Sequence, residues 1–423
     1  MELPRALLGL LFFCFVAWCL STERSRFPWR VVLVGIGMQF ALAAWILGTG
    51  MGRRVFEGLA GFVTKLISMA EPGAKLVFGP LADFGKMAEV FGPDSAFVFA
   101  FAGTGLAAIL FFSALMGILY HLGVMQVLVY LLARVMSLAM GVSGAEAMAV
   151  AANVFVGQTE APLVVRPYLS KMTKSELNAL MCGGFATIAG SVLAVYMGFL
   201  GQEIGPHLLT ASVMSAPAAF LIAKILVPET EDSETGGKPE LRIERHADNV
   251  IEAAAKGTTE GLSLWLNVIA MLIAFMGLVA LVDWPLGALS GVLDLERELS
   301  LSVLFGWVFA PVAWLMGVDG WSDCQLMGSL LGTKVAVNEF VAFNDLRGLI
   351  GGEGVQFASE RTAKMAAYAL CGFANFASIG IQLGGIGALA PERRRDLSRL
   401  ALRAMLGGAF ASWMTATVAG VFV

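Results

Sequence analysis

Polar side chains able to bind a solute cluster where apolar sequence surrounds them. From Asn153 to Pro167 the chain reads Asn-Val-Phe-Val-Gly-Gln-Thr-Glu-Ala-Pro-Leu-Val-Val-Arg-Pro. Gly157 precedes and Pro162 follows the triplet Gln158, Thr159 and Glu160, so a helix breaks where the polar groups appear. A carboxylate at membrane depth costs roughly 2.5–3.5 kcal/mol on insertion scales and is rarely idle. Broken backbone at that depth is tolerated only where protein or a watery cavity meets its N–H and C=O groups. The pattern predicts a re-entrant hairpin whose tip touches a polar solute. A second glutamate, Glu339, lies in similar company within Gly332-Thr-Lys-Val-Ala-Val-Asn-Glu-Phe-Val-Ala-Phe-Asn344.

Such elements need a bilayer around them, and the composition is that of a membrane protein. Of 423 residues, 58% are hydrophobic and 14% charged, and mean hydropathy is +0.78. Apolar runs of about 20 residues recur, the length that crosses a hydrocarbon core. Residues 5–20 could pass for a signal peptide, but a second span follows at once and no small-residue cleavage site is evident. They read as a first transmembrane helix. Cys14, Cys19, Cys182, Cys324 and Cys371 lack metal-ligand spacing and read as free thiols, and the three histidines are isolated. The net charge of −4 originates in residues 228–260, with nine acidic and four basic residues. Nothing in this pattern calls for nucleic acid.

The first segment, 1–50, reads as two helices, about 5–20 and 31–49, joined by a loop with Arg24, Arg26 and Arg30. The positive-inside rule makes that loop cytoplasmic and the N-terminus external. Residues 51–92 read as an amphipathic interfacial segment. A first repeat follows over 93–227: helix 3 (about 95–119), an amphipathic helix (about 124–140), the first hairpin, and helices 4 and 5. Thr173 and Glu176 fit a capping box that starts helix 4. Glycines around Thr187 in Cys182-Gly-Gly-Phe-Ala-Thr-Ile-Ala-Gly-Ser-Val192 predict close packing or local unwinding. Residues 228–260 read as a mobile, charged cytoplasmic loop. The second repeat, 261–423, has helix 6 (about 261–282), an apolar segment 299–317 interrupted at Pro311, the hairpin around Glu339, and helices 7 and 8. Pro391-Glu-Arg-Arg-Arg395 marks the cytoplasmic side, which leaves the C-terminus external.

Each glutamate-bearing segment precedes a Cys-Gly-rich helix, Cys182 to Gly190 in one half and Cys371-Gly-Phe-Ala-Asn-Phe-Ala-Ser-Ile-Gly380 in the other. The two halves follow one plan entered from opposite sides. Inverted repeats with interrupted helices are the architecture of secondary transporters. The expectation is an all-α polytopic membrane protein of about eight transmembrane helices plus two re-entrant hairpins.

Gln-Thr-Glu-Ala-Pro-Leu at 158–163, Asn-Glu-Phe-Val-Ala-Phe at 338–343 and the 371–380 motif resemble the concentrative nucleoside transporters, in a length similar to bacterial members. The likeness covers most of the chain, best from about 95 to 420. It implies a homotrimer in the inner membrane, each protomer importing a nucleoside such as uridine or adenosine with a cation. By that resemblance Gln158, Thr159 and Glu160 meet the nucleobase and Val192 packs on it. Glu339, Asn375 and Ser378 bind the ribose hydroxyls, with Phe373 lining the pocket. A sodium site maps to the side chains of Asn153 and Thr187 and the carbonyls of Val156 and Ile188. Thr187 stands where the family is expected to carry serine, and the hydroxyl is kept. No cofactor is implied beyond sodium as coupling ion.

The chemistry is coherent. A nucleoside is neutral and rich in hydrogen-bonding groups, so its site needs directed donors and acceptors, which amides and carboxylates supply. Blander roles exist for the same residues. Glu160 could tie loose hairpin N–H groups, Glu339 could pair with Lys334 or Arg347, and Asn375 and Ser378 could join helices. A proton-coupled symporter with Glu160 or Glu339 as carrier is the nearest alternative. An enzyme is disfavoured by the lack of a paired His-Glu metal motif or a nucleophile–base pair, and a channel by the inverted repeat.

Overall fold

The structure, a computed structural model, describes residues 2–91, 107–200, 204–235, 247–292, 298–351 and 355–423. Among these residues it is helical, without strands. α1 (Glu2–Cys19) and α2 (Trp29–Ile46) lead into α3 (Gly50–Ser68), α4 (Glu71–Phe78) and α5 (Phe84–Phe91). α3 is amphipathic as its sequence predicts: Phe56, Ala60 and Ile67 are buried while Arg54 and Lys65 are exposed. Part of the expected helix 3 lies outside the described residues, and its described end is α6 (Ala108–His121). α7 (Val124–Met140) is the expected amphipathic helix.

α8 (Gly144–Asn153) and the short α9 (Ala161–Val164) flank the Gln-Thr-Glu break. α10 (Lys174–Ala186) starts on the predicted capping box, Glu176 N–H donating to Thr173 Oγ1 at 3.1 Å and Thr173 N–H to Glu176 Oε2 at 2.8 Å. Ser143 and Glu146 build an equivalent box at the start of α8. After a break at Thr187, α11 (Gly190–Leu200) and α12 (Gly205–Leu226) complete this half.

α13 (Val250–Val292) is 43 residues long and starts within the stretch expected to be a loop. The cause is a GxxxG pair. A Cβ on Gly257 would stand 2.3 Å from the Ser113 carbonyl, and one on Gly261 would stand 2.8 Å from Ser113 Cβ, so α13 and α6 touch backbone to backbone. The other end of that stretch is fastened too. Thr173 Oγ1 donates to Glu229 at 2.9 Å, Ser233 Oγ donates to Glu176 at 2.6 Å, and Lys224 pairs with Glu229 at 3.5 Å.

α14 (Leu301–Met316) runs straight through Pro311, where the sequence predicts an interruption. The chain turns instead at Gly317, whose φ of +104° suits glycine, and α15 (Trp321–Ala336) leaves at 111°. α16 (Glu339–Gly351), α17 (Glu360–Leu370), α18 (Phe376–Leu389) and α19 (Arg394–Ala419) follow.

The inversion is visible in the hydrogen bonds. Thr235 Oγ1 donates to Glu176 at the start of α10 and lies 3.5 Å from the Ser143 hydroxyl at the start of α8, so the first helix pair leaves and returns at one end. Asp323 of α15 accepts from the N–H groups of Ala358 and Ser359, just before α17, at 2.9 and 3.3 Å, so the second pair does the same. These ends are opposite. Arg393 at the start of α19 donates to the carbonyls of Leu169, Ser170 and Met172 beside the first pair. Arg361 beside the second pair donates to the carbonyls of Gly317 and Gly420, the latter capping α19. The 26 residues of α19 between them span about 39 Å. Arg5 of α1 also donates to Gly317, so both chain termini lie at the second pair's end.

Among the described residues four helical stretches could each cross a membrane by length and composition: 29–46, the broken 174–197, 205–226 and 250–292. α10, α12 and α19 pack together as an almost wholly buried core.

Candidate functional site

The two broken helices approach from opposite ends and meet at their breaks. Gly372, with φ +137°, lies against the end of α10, where a Cβ would stand 2.7 Å from the Phe185 carbonyl. No side chain fits there without separating the two breaks.

At the first break Asn153 ends α8 and is 1% exposed. Its Nδ2 donates to the carbonyls of Ala149 and, across on α10, Leu180, at 3.1 and 3.4 Å, while its Oδ1 has no hydrogen-bond partner. Thr187 leaves the helix with extended backbone, and its hydroxyl donates to the Gly183 carbonyl at 2.8 Å. Val156 and Ile188 are buried in the two adjoining breaks, which Gly190 N–H ties together by donating to the Phe155 carbonyl at 3.1 Å. Asn153, Val156, Thr187 and Ile188 thus all lie buried at the two adjoining breaks, and an unpartnered Oδ1 is an acceptor of the kind a hard cation takes.

Gln158 is buried beside that junction. Its Oε1 accepts from Gln382 Nε2 of α18 at 3.0 Å, and the same nitrogen donates to the Met181 carbonyl at 3.1 Å. Gln382 Oε1 has no partner. A Cβ on Gly184 would crowd Gln382 Nε2 at 2.7 Å and Gln158 Cβ at 3.0 Å, so this glycine lets the two glutamines meet.

The second break gathers Glu339, Asn375 and Ser378. Glu339 opens α16 and accepts from Tyr196 Oη at 3.0 Å and Asn375 Nδ2 at 2.9 Å. Asn375 caps α18, its Oδ1 accepting from Ser378 N–H at 2.8 Å. Lys334 does not pair with Glu339, and donates instead to the Ala369 carbonyl and the Ser412 hydroxyl. Val192 is buried on α11 one turn before Tyr196, and Phe373 is half-buried within the break.

Thr159 and Glu160 point elsewhere. Thr159 is exposed at the tip, its methyl 3.1 Å from where a Cβ on Gly385 of α18 would stand. Glu160 accepts from Gly157 N–H at 3.4 Å and lines a cavity of about 340 Å³ with Tyr120, Gln126, Arg166, Lys256 and Glu260. Gln158 and Glu339 do not line that cavity. Tyr196 and Gln382 are the site residues missed in the sequence. Tyr196 follows Val192 by four residues on one helix face, and Gln382 is the single amide in the apolar run of α18.

Two inverted halves with broken helices, whose polar groups meet inside the helical core, define a secondary-transporter architecture. Family models agree on which one. Those described as the N-terminus and C-terminus of the Na+ dependent nucleoside transporter match residues 8–81 and 207–420, and one described as nucleoside recognition matches 106–203. The chain belongs to this nucleoside transporter family and is not an enzyme. It is 41% identical to an uncharacterized transporter of Haemophilus influenzae (100% of this chain, 98% of the relative) and 38% identical to the nucleoside permease NupC of Helicobacter pylori (99% and 97%). Its fold matches CNTnw in an inward-facing substrate-bound state, with TM-score 0.92 and 41% identity over 100% of this chain and 98% of that one.

Proposed function

We propose that the protein is a sodium-driven nucleoside symporter of the inner membrane, working by alternating access. The observation that carries this reading is the meeting of two helix breaks in one buried polar site where Asn153 Oδ1 and Gln382 Oε1 lack partners. Sodium sits among Asn153, Thr187 and the carbonyls of Val156 and Ile188. The nucleobase is met by Gln158 and Val192, and the ribose by Glu339, Asn375 and Ser378 beside Phe373, while Thr159 and Glu160 stand at the hairpin tip and along the cavity that leads to it. Tyr196 and Gln382 position Glu339 and Gln158. Helix pairs α8–α9 and α15–α16 are re-entrant hairpins, and the cavity at Glu160 is the cytoplasmic path. Arg24, Arg30, Arg166 and Arg393–Arg395 lie toward the first pair's end, which makes that end cytoplasmic and both termini external. The exposed apolar residues of α13, among them Ile273, Leu281 and Trp284, suit lipid or the neighbouring copies of a homotrimer.

Uptake of radiolabelled uridine and adenosine into proteoliposomes, with and without an inward sodium gradient at fixed pH, tests this. Sodium-driven uptake of either is the expected result. Uptake that follows a proton gradient and ignores sodium would overturn the cation site, and no uptake from folded protein would overturn the substrate.

A further inference from the structure

The cavity at Glu160 is built to hold a solute as well as to pass one. Its volume of about 340 Å³ lies within the range of roughly 300–1,000 Å³ that small-molecule sites occupy. Two of its walls are fixed by close helix packing. A Cβ on Gly117 of α6 would stand 2.5 Å from the Ala253 carbonyl of α13, and one on Gly257 would stand 2.3 Å from the Ser113 carbonyl. All four of these residues line the cavity. A third wall is set by Gly123, whose φ of +81° lets the chain turn through 75° between α6 and α7. That corner brings Tyr120, near the end of α6, and Gln126, in the first turn of α7, to the same cavity.

Gln126 Nε2 fastens the corner by donating to the Tyr120 carbonyl at 2.9 Å. Its Oε1 has no partner among the described residues, although Gln126 is only 6% exposed, and Tyr120 Oη is equally without one. Buried polar atoms are ordinarily paired, and a bound solute would satisfy both of these. The lining also says which solute. Its four full charges balance, Glu160 and Glu260 against Arg166 and Lys256, so it favours neither an anion nor a cation. Phe155 adds an aromatic wall, and the phenol, the amide and the carboxylates supply donors and acceptors. That combination suits an uncharged solute with a flat ring and several hydrogen-bonding groups, which is the chemistry of a nucleoside. Of the residues assigned to the cation, Val156 lines the cavity, whereas Asn153, Thr187 and Ile188 do not.

We propose that this cavity is a second nucleoside site, occupied after the core site on the way to the cytoplasm, with Gln126 and Tyr120 as its specific contacts. Release then takes two steps. Because its polar side chains lie outside the sodium set, the second site fills without sodium. This rests on the nucleoside-transport reading above.

The test counts tritiated uridine bound to the full-length protein in lipid nanodiscs, by equilibrium dialysis in sodium and with choline in its place. A second uridine per protomer is expected beyond the sodium-dependent one, and it should remain in choline. Glu339→Gln should weaken the sodium-dependent site alone. Tyr120→Phe removes one hydroxyl and leaves the corner intact, and should weaken the choline-resistant site about fivefold. Gln126→Leu should weaken it about tenfold or more, and neither variant should shift the sodium-dependent site. If Gln126→Leu undoes the corner and fails to fold, Tyr120→Phe decides. A single site that disappears in choline would overturn the proposal and leave the transport reading standing. So would a choline-resistant site that these variants leave unchanged. No uridine bound in either salt would refute the nucleoside reading itself, and the second site with it.

Discussion

The two breaks share a plan and differ in how complete they are. At the first, Asn153 Oδ1 faces no donor among the described residues, and Gln382 Oε1 beside it is equally bare. At the second, both oxygens of Glu339 accept hydrogen bonds, Asn375 caps α18, and Lys334 donates to the Ala369 carbonyl and the Ser412 hydroxyl. A fully satisfied buried network is rigid, whereas an unsatisfied one gains most from a ligand. One architecture thus yields a half that answers to a bound ion and a half that serves as a platform. Coupling follows if both ligands favour the same arrangement of the first half.

The largest effect should come from forcing the two halves apart. Gly372→Val puts a β-branched side chain at φ +137° and against the Phe185 carbonyl, 2.7 Å from its Cβ. The loss should be roughly 3 kcal/mol or more from backbone strain and overpacking. Size-exclusion chromatography of heated detergent samples should show a lower melting temperature, and uptake should vanish. A variant with wild-type stability and transport would mean the breaks need not touch.

Substitutions within each half should then separate by ligand. Glu339→Gln replaces one acceptor oxygen by an NH2 that cannot accept from Asn375. A hydrogen bond to a charged group contributes about 1.5–3 kcal/mol, so the uridine KM should rise roughly 10- to 100-fold while the protein stays folded. An unchanged KM would remove Glu339 from the site. Asn153→Ala should act on the other ligand. Removing the unpartnered Oδ1 should raise the sodium concentration for half-maximal uptake about tenfold, near 1.4 kcal/mol. An unaltered sodium dependence would place the ion elsewhere.

Local features of both halves were legible in the sequence, and long-range ones were not. The Thr173–Glu176 capping box and the Thr187 break appear in the structure where residue type and spacing put them, because caps and breaks are settled within a few residues. Val250–Glu260 was misleading. Glu252, Lys256 and Glu260 suggest a loop, yet they are exposed on a helix whose other face buries Ala253, Gly257 and Gly261. Tyr196 and Gln382 were invisible because their partners are 143 and 224 residues away. Lys334 could be seen as a cation near Glu339, but its acceptors, Ala369 and Ser412, depend on how α15, α17 and α19 pack.

The smallest expected effect sharpens the comparison most. Tyr196→Phe removes the hydroxyl 3.0 Å from Glu339 Oε1 and leaves the ring stacked 4.5 Å from Phe343. Two consequences oppose each other. Glu339 loses a donor that fixes its orientation, but the freed oxygen becomes available to a ribose hydroxyl. The net change should be about 1 kcal/mol, seen as roughly a fivefold rise in uridine KM. Because Tyr196 belongs to the platform half, the sodium concentration for half-maximal uptake, read at saturating uridine, should stay within about twofold. A shift in sodium dependence as large as that of Asn153→Ala would mean that the two breaks act as one network, and that the division between a responsive half and a preassembled half is wrong. A KM change exceeding that of Glu339→Gln would mean that the Tyr196 hydroxyl binds the nucleoside itself, with Glu339 orienting it.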